Sequence, residues 1–214
     1  MDDSMSDQEQ WDSVRNWLRQ NGVWLVAGVA LAAIGIWGWR AWQAHQEALL
    51  TRASGQYEKL VSAFGRNDLG AVTAAADQLA VDHPGTGYAE QAELAAARLQ
   101  IENKQIPAAI ERMQKVLSAT HDAELALLVR LRIARAQLEL NKPDEALATL
   151  AAAQPGAYAS RYAEVRGDAL FAKGDHDGAL RAYKEAQAAA NGAAAAGDLL
   201  ALKISSLAPS RAAP

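Results

Sequence analysis

The chain has 214 residues, half of them apolar and 21% charged, which is enough for one ordinary domain with an appendage and too apolar for a disordered protein. Cysteine is absent, so disulfides, thiolate catalysis and cysteine-held zinc or iron–sulfur sites are excluded. A net charge of −4 argues against a protein built to coat nucleic acid. All six tryptophans fall within the first 42 positions, so two parts of the chain are made for different solvents.

Residues 1–19 read as a polar N-terminal tail, with Asp2, Asp3, Asp7, Glu9 and Asp12 near its start. From Gln20 to Trp39 follow 20 consecutive uncharged residues, bracketed by Arg19 and Arg40. At about 1.5 Å per residue this run matches the roughly 30 Å hydrocarbon core of a bilayer, and the segment 20–42 is predicted to be a transmembrane helix. Trp17 and Trp24 stand at one end and Trp37, Trp39 and Trp42 at the other, where amphipathic rings favour the headgroup level and the arginines can snorkel outward. A cleaved signal peptide needs a basic start, a shorter apolar stretch and a small-x-small exit, and the segment lacks all three. A retained anchor is expected. The positive-inside count is nearly tied, with Arg15 and Arg19 before the span against Arg40, Arg52 and Lys59 after it. Taken alone it leans toward a cytoplasmic C-terminal part. Gly28, Ala32 and Gly35 share one helix face with the small-residue spacing that admits a second membrane helix, which makes them candidates for helix docking.

From Gln43 to Ala208 the chain is rich in alanine, poor in β-branched residues and without sustained period-2 alternation, which predicts helix throughout. Ala109, Ile110, Met113 and Val116 align with Ala146, Leu147, Leu150 and Ala153, and these with Ala179, Leu180, Tyr183 and Ala186: three copies of one amphipathic face. A turn precedes each copy, at Asn103 to Pro107, Asn141 to Pro143 and Gly174 to Gly178. Before each turn lies another apolar helix with a small residue at Ala97, Ala134 or Gly167. This spacing resembles the tetratricopeptide repeat, most fully in Gly167, Gly174, Ala179, Tyr183 and Ala186. A fainter copy is expected at Ala71, Val72 and Ala75, before the break at His83-Pro84-Gly85, because each hairpin leaves an apolar face that only a neighbour can cover. Leu199, Leu200, Leu202, Ile204 and Leu207 read as a capping helix, and residues 209–214 as a disordered tail. The predicted fold class is all-α: an N-terminal transmembrane helix followed by a tetratricopeptide-like α-solenoid of three to four helix hairpins.

No chemistry is written into the sequence. His45, His83, His121 and His176 are too far apart for a helical zinc pair and are expected at the surface, and the phosphate-binding, dinucleotide and nucleophile-elbow motifs are missing. Asp175-His176-Asp177-Gly178 lacks the third oxygen ligand and closing glutamate of a calcium loop and reads as a helix cap. Neither a catalytic residue nor a cofactor is assigned. The first helix of each hairpin is expected to line a concave face, which would place Arg98, Leu131, Arg135, Leu138, Arg161 and Phe171 toward a polypeptide partner. The same pattern also allows Leu131, Leu138 and Phe171 to pack between repeats.

Several short blocks extend the resemblance: Asn21-Gly22, Gly28-Val29 and Gly38-Trp39-Arg40-x-Trp42 around the span, Leu131-Arg132-Ile133-Ala134-Arg135, Val165-Arg166-Gly167-Asp168-Ala169-Leu170 with Lys173-Gly174-Asp175, and Lys203-Ile204. In that order they resemble the YfgM family, ancillary subunits of the SecYEG translocon in Gram-negative inner membranes. The resemblance implies a cytoplasmic N-terminus, one span, and a periplasmic repeat domain over 43–208. It further implies a non-enzymatic role beside the Sec channel and the membrane-anchored chaperone PpiD, helping translocated polypeptides reach periplasmic chaperones. A rival expectation is an envelope scaffold that tethers the inner membrane to assembly machinery.

Overall fold

A computed structural model describes residues 7–190 and 197–207. The expected tail at 209–214 and the first acidic residues, Asp2 and Asp3, lie outside them. Among the described residues the chain is all helix: α1 (Asp7–Gly65), α2 (Leu69–Asp82), α3 (Gly87–Glu102), α4 (Ile106–Ala119), α5 (Ala123–Glu139), α6 (Pro143–Ala151), α7 (Ala159–Ala172), α8 (His176–Ala189) and α9 (Gly197–Leu207), with a 3₁₀ turn at Gly156–Tyr158. The chain divides into two compact units, Met1–Arg52 and Ala53–Pro214, with the boundary inside α1.

The first unit contains an apolar helical stretch of mean hydropathy 1.8, none of it buried. Val23, Trp24, Val26, Val29, Leu31, Ile34 and Trp37 are all exposed. A soluble core helix with this composition would bury these side chains, so the segment is suited to lipid rather than water. The Trp39 and Trp42 rings lie against each other, tilted by 40° with centroids 5.3 Å apart, and near the opposite end Asn21 donates to the Trp17 carbonyl at 3.1 Å.

In the second unit the chain repeats one turn four times. Asn67, Lys104, Asn141 and Gly174 each adopt a left-handed backbone, with φ of 60°, 63°, 57° and 81°. After each of them the next N–H returns to a carbonyl five residues back: Asp68 to Ala63, Gln105 to Gln100, Lys142 to Gln137 and Asp175 to Leu170. This is the Schellman closure that satisfies the last carbonyls of a helix and reverses the chain. The hairpins are therefore the end of α1 with α2, α3 with α4, α5 with α6 and α7 with α8: four, closed by α9. Asp68 and Asp175 then cap the helices that follow, accepting from Ala71 N and Gly178 N, while Pro107 and Pro143 occupy the first turns of α4 and α6. Asp175 is thus a helix cap, as its place before Gly178 suggests in the sequence.

Lysine in the left-handed region costs about 1–2 kcal/mol that glycine avoids, partly offset by glycine's greater freedom when unfolded. Lys104→Gly is accordingly expected to stabilise the repeat domain by about 0.5–1 kcal/mol in urea titration followed by circular dichroism. A loss of stability would show that the turn is not left-handed at Lys104.

The core runs as a chain of clusters, each joining neighbouring helices. Ala53, Leu60 and Ala63 of α1 pack with Val72, Ala76 and Leu79 of α2 and with Ala92, Ala96 and Leu99 of α3. Leu94 and Ala97 continue to Ala109, Met113 and Val116 of α4 and Val129, Ile133 and Ala136 of α5. Leu131 and Ala134 continue to Ala146 and Leu150 of α6 and Tyr162, Val165 and Ala169 of α7. Ala163 meets Ala179, Tyr183 and Ala186 of α8 and Leu200 of α9. At the α7–α8 crossing Gly167 is needed, since a Cβ there would overlap the Tyr183 ring.

Three details differ from the sequence reading. Of the expected Ala71, Val72 and Ala75 in the first hairpin, Val72 is buried, together with Ala76 and Leu79, whereas Ala71 and Ala75 are only half-buried, so the buried face is turned by one register. Helix α6 stops at Ala151, so Ala153 falls in the turn before Pro155, whose ring disfavours helix in the residue ahead of it. His83 is buried rather than on the surface: it caps α2, donating its N–H to the Leu79 carbonyl and accepting from the Thr86 hydroxyl at 2.8 Å.

Candidate interaction surfaces

In the first unit, Gly28 and Gly35 have open space where a Cβ would stand, and with Ala32 they form a small-residue strip on a helix that is exposed all round.

In the second unit, two adjoining concavities open along the first helices of the first three hairpins. One, of about 250 Å³, is lined by Tyr57, Val61 and Phe64 of α1, Arg98 of α3 and Arg132 of α5. The other, of about 350 Å³, shares Leu94, Arg98 and Arg132 and continues to Ile101, Arg135 and Glu139. Arg98 is held from two sides, by Glu102 at 2.9 Å and by the Phe64 ring, whose centroid lies 5.5 Å from the guanidinium carbon. Arg132 and Arg135 are exposed and make no ion pair with a described residue.

The six groove residues expected from sequence therefore separate. Arg98 and Arg135 line the groove. Leu131 does not: at 3% exposure it lies in the core between α5, α6 and α7, so its assignment to a partner surface is corrected. Leu138 packs half-buried against that core. Arg161 is exposed but pairs with Glu164, away from both concavities, and exposed Phe171 lies against His176 with ring centroids 5.2 Å apart. Arg132 was missed. It precedes Ile133 in a helix whose apolar positions suggest several faces, and sequence alone did not choose the one that opens on the groove.

The end of the stack is closed electrostatically. Lys203 of α9 donates to Asp168 at 2.7 Å and Glu164 at 3.1 Å, and Asp168 also accepts from the Tyr183 hydroxyl at 2.8 Å. Burial alone would lower the Lys203 pKa, but its bonds to Asp168 and Glu164 and their charges prevail and raise it above the usual lysine value. Burial first, then the bond to Asp168, pushes the Tyr183 phenol well above its ordinary range. Of the expected capping residues, Leu200 is buried and Ile204 and Leu207 pack against it, whereas Leu199 and Leu202 face outward. Among the described residues no cluster of three or more histidine, aspartate and glutamate side chains is placed to hold a metal.

The tetratricopeptide repeat-like domain family matches residues 15–209. A protein of Escherichia coli strain K12 named ancillary SecYEG translocon subunit is 31% identical over 202 residues, covering 94% of this chain and 97% of its own length. The chain belongs to that family. The Haemophilus influenzae protein of the same name is 30% identical, over 86% of this chain and 90% of its own. A Neisseria gonorrhoeae ancillary SecYEG translocon subunit is 26% identical over 95% and 98%. The family match at residues 15–209 is thus not confined to the repeats: it takes in the exposed apolar stretch of α1 together with all four hairpins.

Proposed function

We propose that this protein is an ancillary subunit of the SecYEG translocon, a non-enzymatic interaction protein held in the inner membrane by the span within α1. In this reading the N-terminus is cytoplasmic and the repeat domain periplasmic, where with the chaperone PpiD it helps translocated polypeptides reach periplasmic chaperones. The observation that carries the reading is end-to-end similarity to translocon subunits, 94% of this chain against 97% of the relative, so that anchor and repeats are matched in one alignment. The chemistry agrees with it. An apolar helix exposed all round suits lipid, and its Gly28, Ala32 and Gly35 strip lets a channel helix approach closely without displacing side chains. The repeat domain presents a groove, and polypeptides bind such surfaces with no cofactor.

A photo-crosslinker at Gly28, Ala32 or Gly35 is expected to trap a channel or chaperone subunit, and Gly28→Leu with Gly35→Leu to abolish the crosslink while insertion persists. Trapping of envelope-assembly proteins instead would support a scaffold and overturn the translocon assignment. For orientation, protease added to spheroplasts should digest the repeat domain; full protection would place it in the cytoplasm.

A further inference from the structure

The groove along α1, α3 and α5 holds Arg98, Arg132 and Arg135 against Glu102 and Glu139, an excess of one positive charge. Equivalent positions of the four hairpins, counted back from the left-handed turn residue, are Val61, Arg98, Arg135 and Asp168. In the last hairpin the charge is matched within the chain, because Lys203 bonds both Asp168 and Glu164. In the second, Arg98 is shared between Glu102 and the Phe64 ring. In the third, Arg135 and its neighbour Arg132 are exposed and make no ion pair with described residues, although the chain as a whole is acidic. Beside them is an apolar floor: Val61 is 50% exposed, and Phe64 and Tyr57 line the same concavity.

We infer that this groove binds an extended acidic segment of another polypeptide, with carboxylates on Arg132 and Arg135 and one large apolar side chain against Val61 and Phe64. The inference rests on the reading of the repeat domain as an interaction module and names the partner's chemistry. Guanidinium forks favour carboxylates because two parallel hydrogen bonds fit the planar group. The two concavities share Leu94, Arg98 and Arg132 and so run on from one another, and about six residues of extended chain, at about 3.3 Å each, cover roughly 20 Å of such a run. Beyond α5 the groove offers an extended acidic chain no further cations of this kind, because the α7 position that matches Arg135 is Asp168 and the one that matches Arg132 is the buried Val165.

The test uses the full chain in phosphatidylcholine nanodiscs and a fluorescein-labelled hexapeptide containing three glutamates and one leucine, read by anisotropy. The acidic peptide is expected to bind about tenfold more tightly than its glutamine counterpart and to weaken with added salt. Arg132→Gln with Arg135→Gln should reduce its affinity by about tenfold with helical circular dichroism unchanged, since both side chains are exposed. Val61→Ser should weaken binding of both peptides, and Arg181→Gln, an exposed cation of α8, should do nothing. Equal affinity for the two peptides, or no loss in the double arginine variant, overturns the inference. Displacement of the peptide when phosphatidylglycerol is added to the discs would assign the arginines to lipid headgroups and also overturn it. The translocon reading fails separately, if the unaltered chain purified in mild detergent brings no channel subunit with it.

Discussion

Replacing Arg112 with alanine is expected to destabilise the repeat domain by about 3–5 kcal/mol, because it leaves a buried carboxylate without its counter-charge. Arg112 projects from α4, donates to Glu93 of α3 at 2.8 Å and to Asp77 of α2 at 2.9 Å, and so fastens the first hairpin to the second. Its side chain is 11% exposed and that of Glu93 8%, whereas Asp77 is 60% exposed. Removing the guanidinium thus strands Glu93 in the interior and merely releases Asp77 to water. Burial alone would lower the Arg112 pKa, but the two hydrogen bonds and the two negative charges overcome it, so the residue stays a cation. Urea unfolding of the full chain in detergent, followed at 222 nm, should show the loss. The double change Arg112→Met with Glu93→Leu should recover most of it, since replacing a buried ion pair with apolar groups of similar volume is often neutral or stabilising. A single variant within about 1 kcal/mol of the parent would mean that Glu93 is not buried against Arg112. In a stack where each hairpin touches only its neighbours, the first hairpin should be the part that loosens.

That ion pair was invisible in the sequence, because helix periodicity reports which face a residue occupies and not which residue of another helix it meets. The repeat itself was legible. Ala109, Ala146 and Ala179 sit where helices cross closely, and only small residues fit there, so the pattern survives substitution elsewhere. Gly174 announced its turn, while Lys104 and Asn67 take the same left-handed backbone without glycine's signature. The first hairpin slipped by one register because α2 is apolar on more than one side: Ala71, Val72, Ala75 and Ala76 are near-equivalent to a periodicity argument, and the choice among them is made by contacts with α1 and α3. The groove was half legible for a related reason. One position along a helix is a rotation of about 100°, and that step separates Leu131 in the core from Arg132 on the groove.

Lysine at both Val29 and Ile34 is expected to release the chain from the membrane. Both side chains are exposed in a helix whose apolar stretch buries none of its surface, so no protein contact shelters an introduced charge. On the insertion scale a lysine near the helix centre costs about 2.5–3.5 kcal/mol in place of a favourable aliphatic contribution. Two of them exceed what the remaining apolar residues return, and from mid-helix the ammonium groups lie too far from either headgroup layer to snorkel well. After carbonate washing, the parent chain should remain in the membrane pellet and the double variant in the supernatant or among proteolytic fragments. Val81→Lys, at an equally exposed valine of the repeat domain, separates charge from position: it should leave the chain in the pellet. A double variant that stayed in the pellet would mean that the stretch is not what holds the protein there. The observed exposure of Val23 through Trp37 would then need a protein partner to cover it, since water is the one surrounding in which so much apolar helix is unstable.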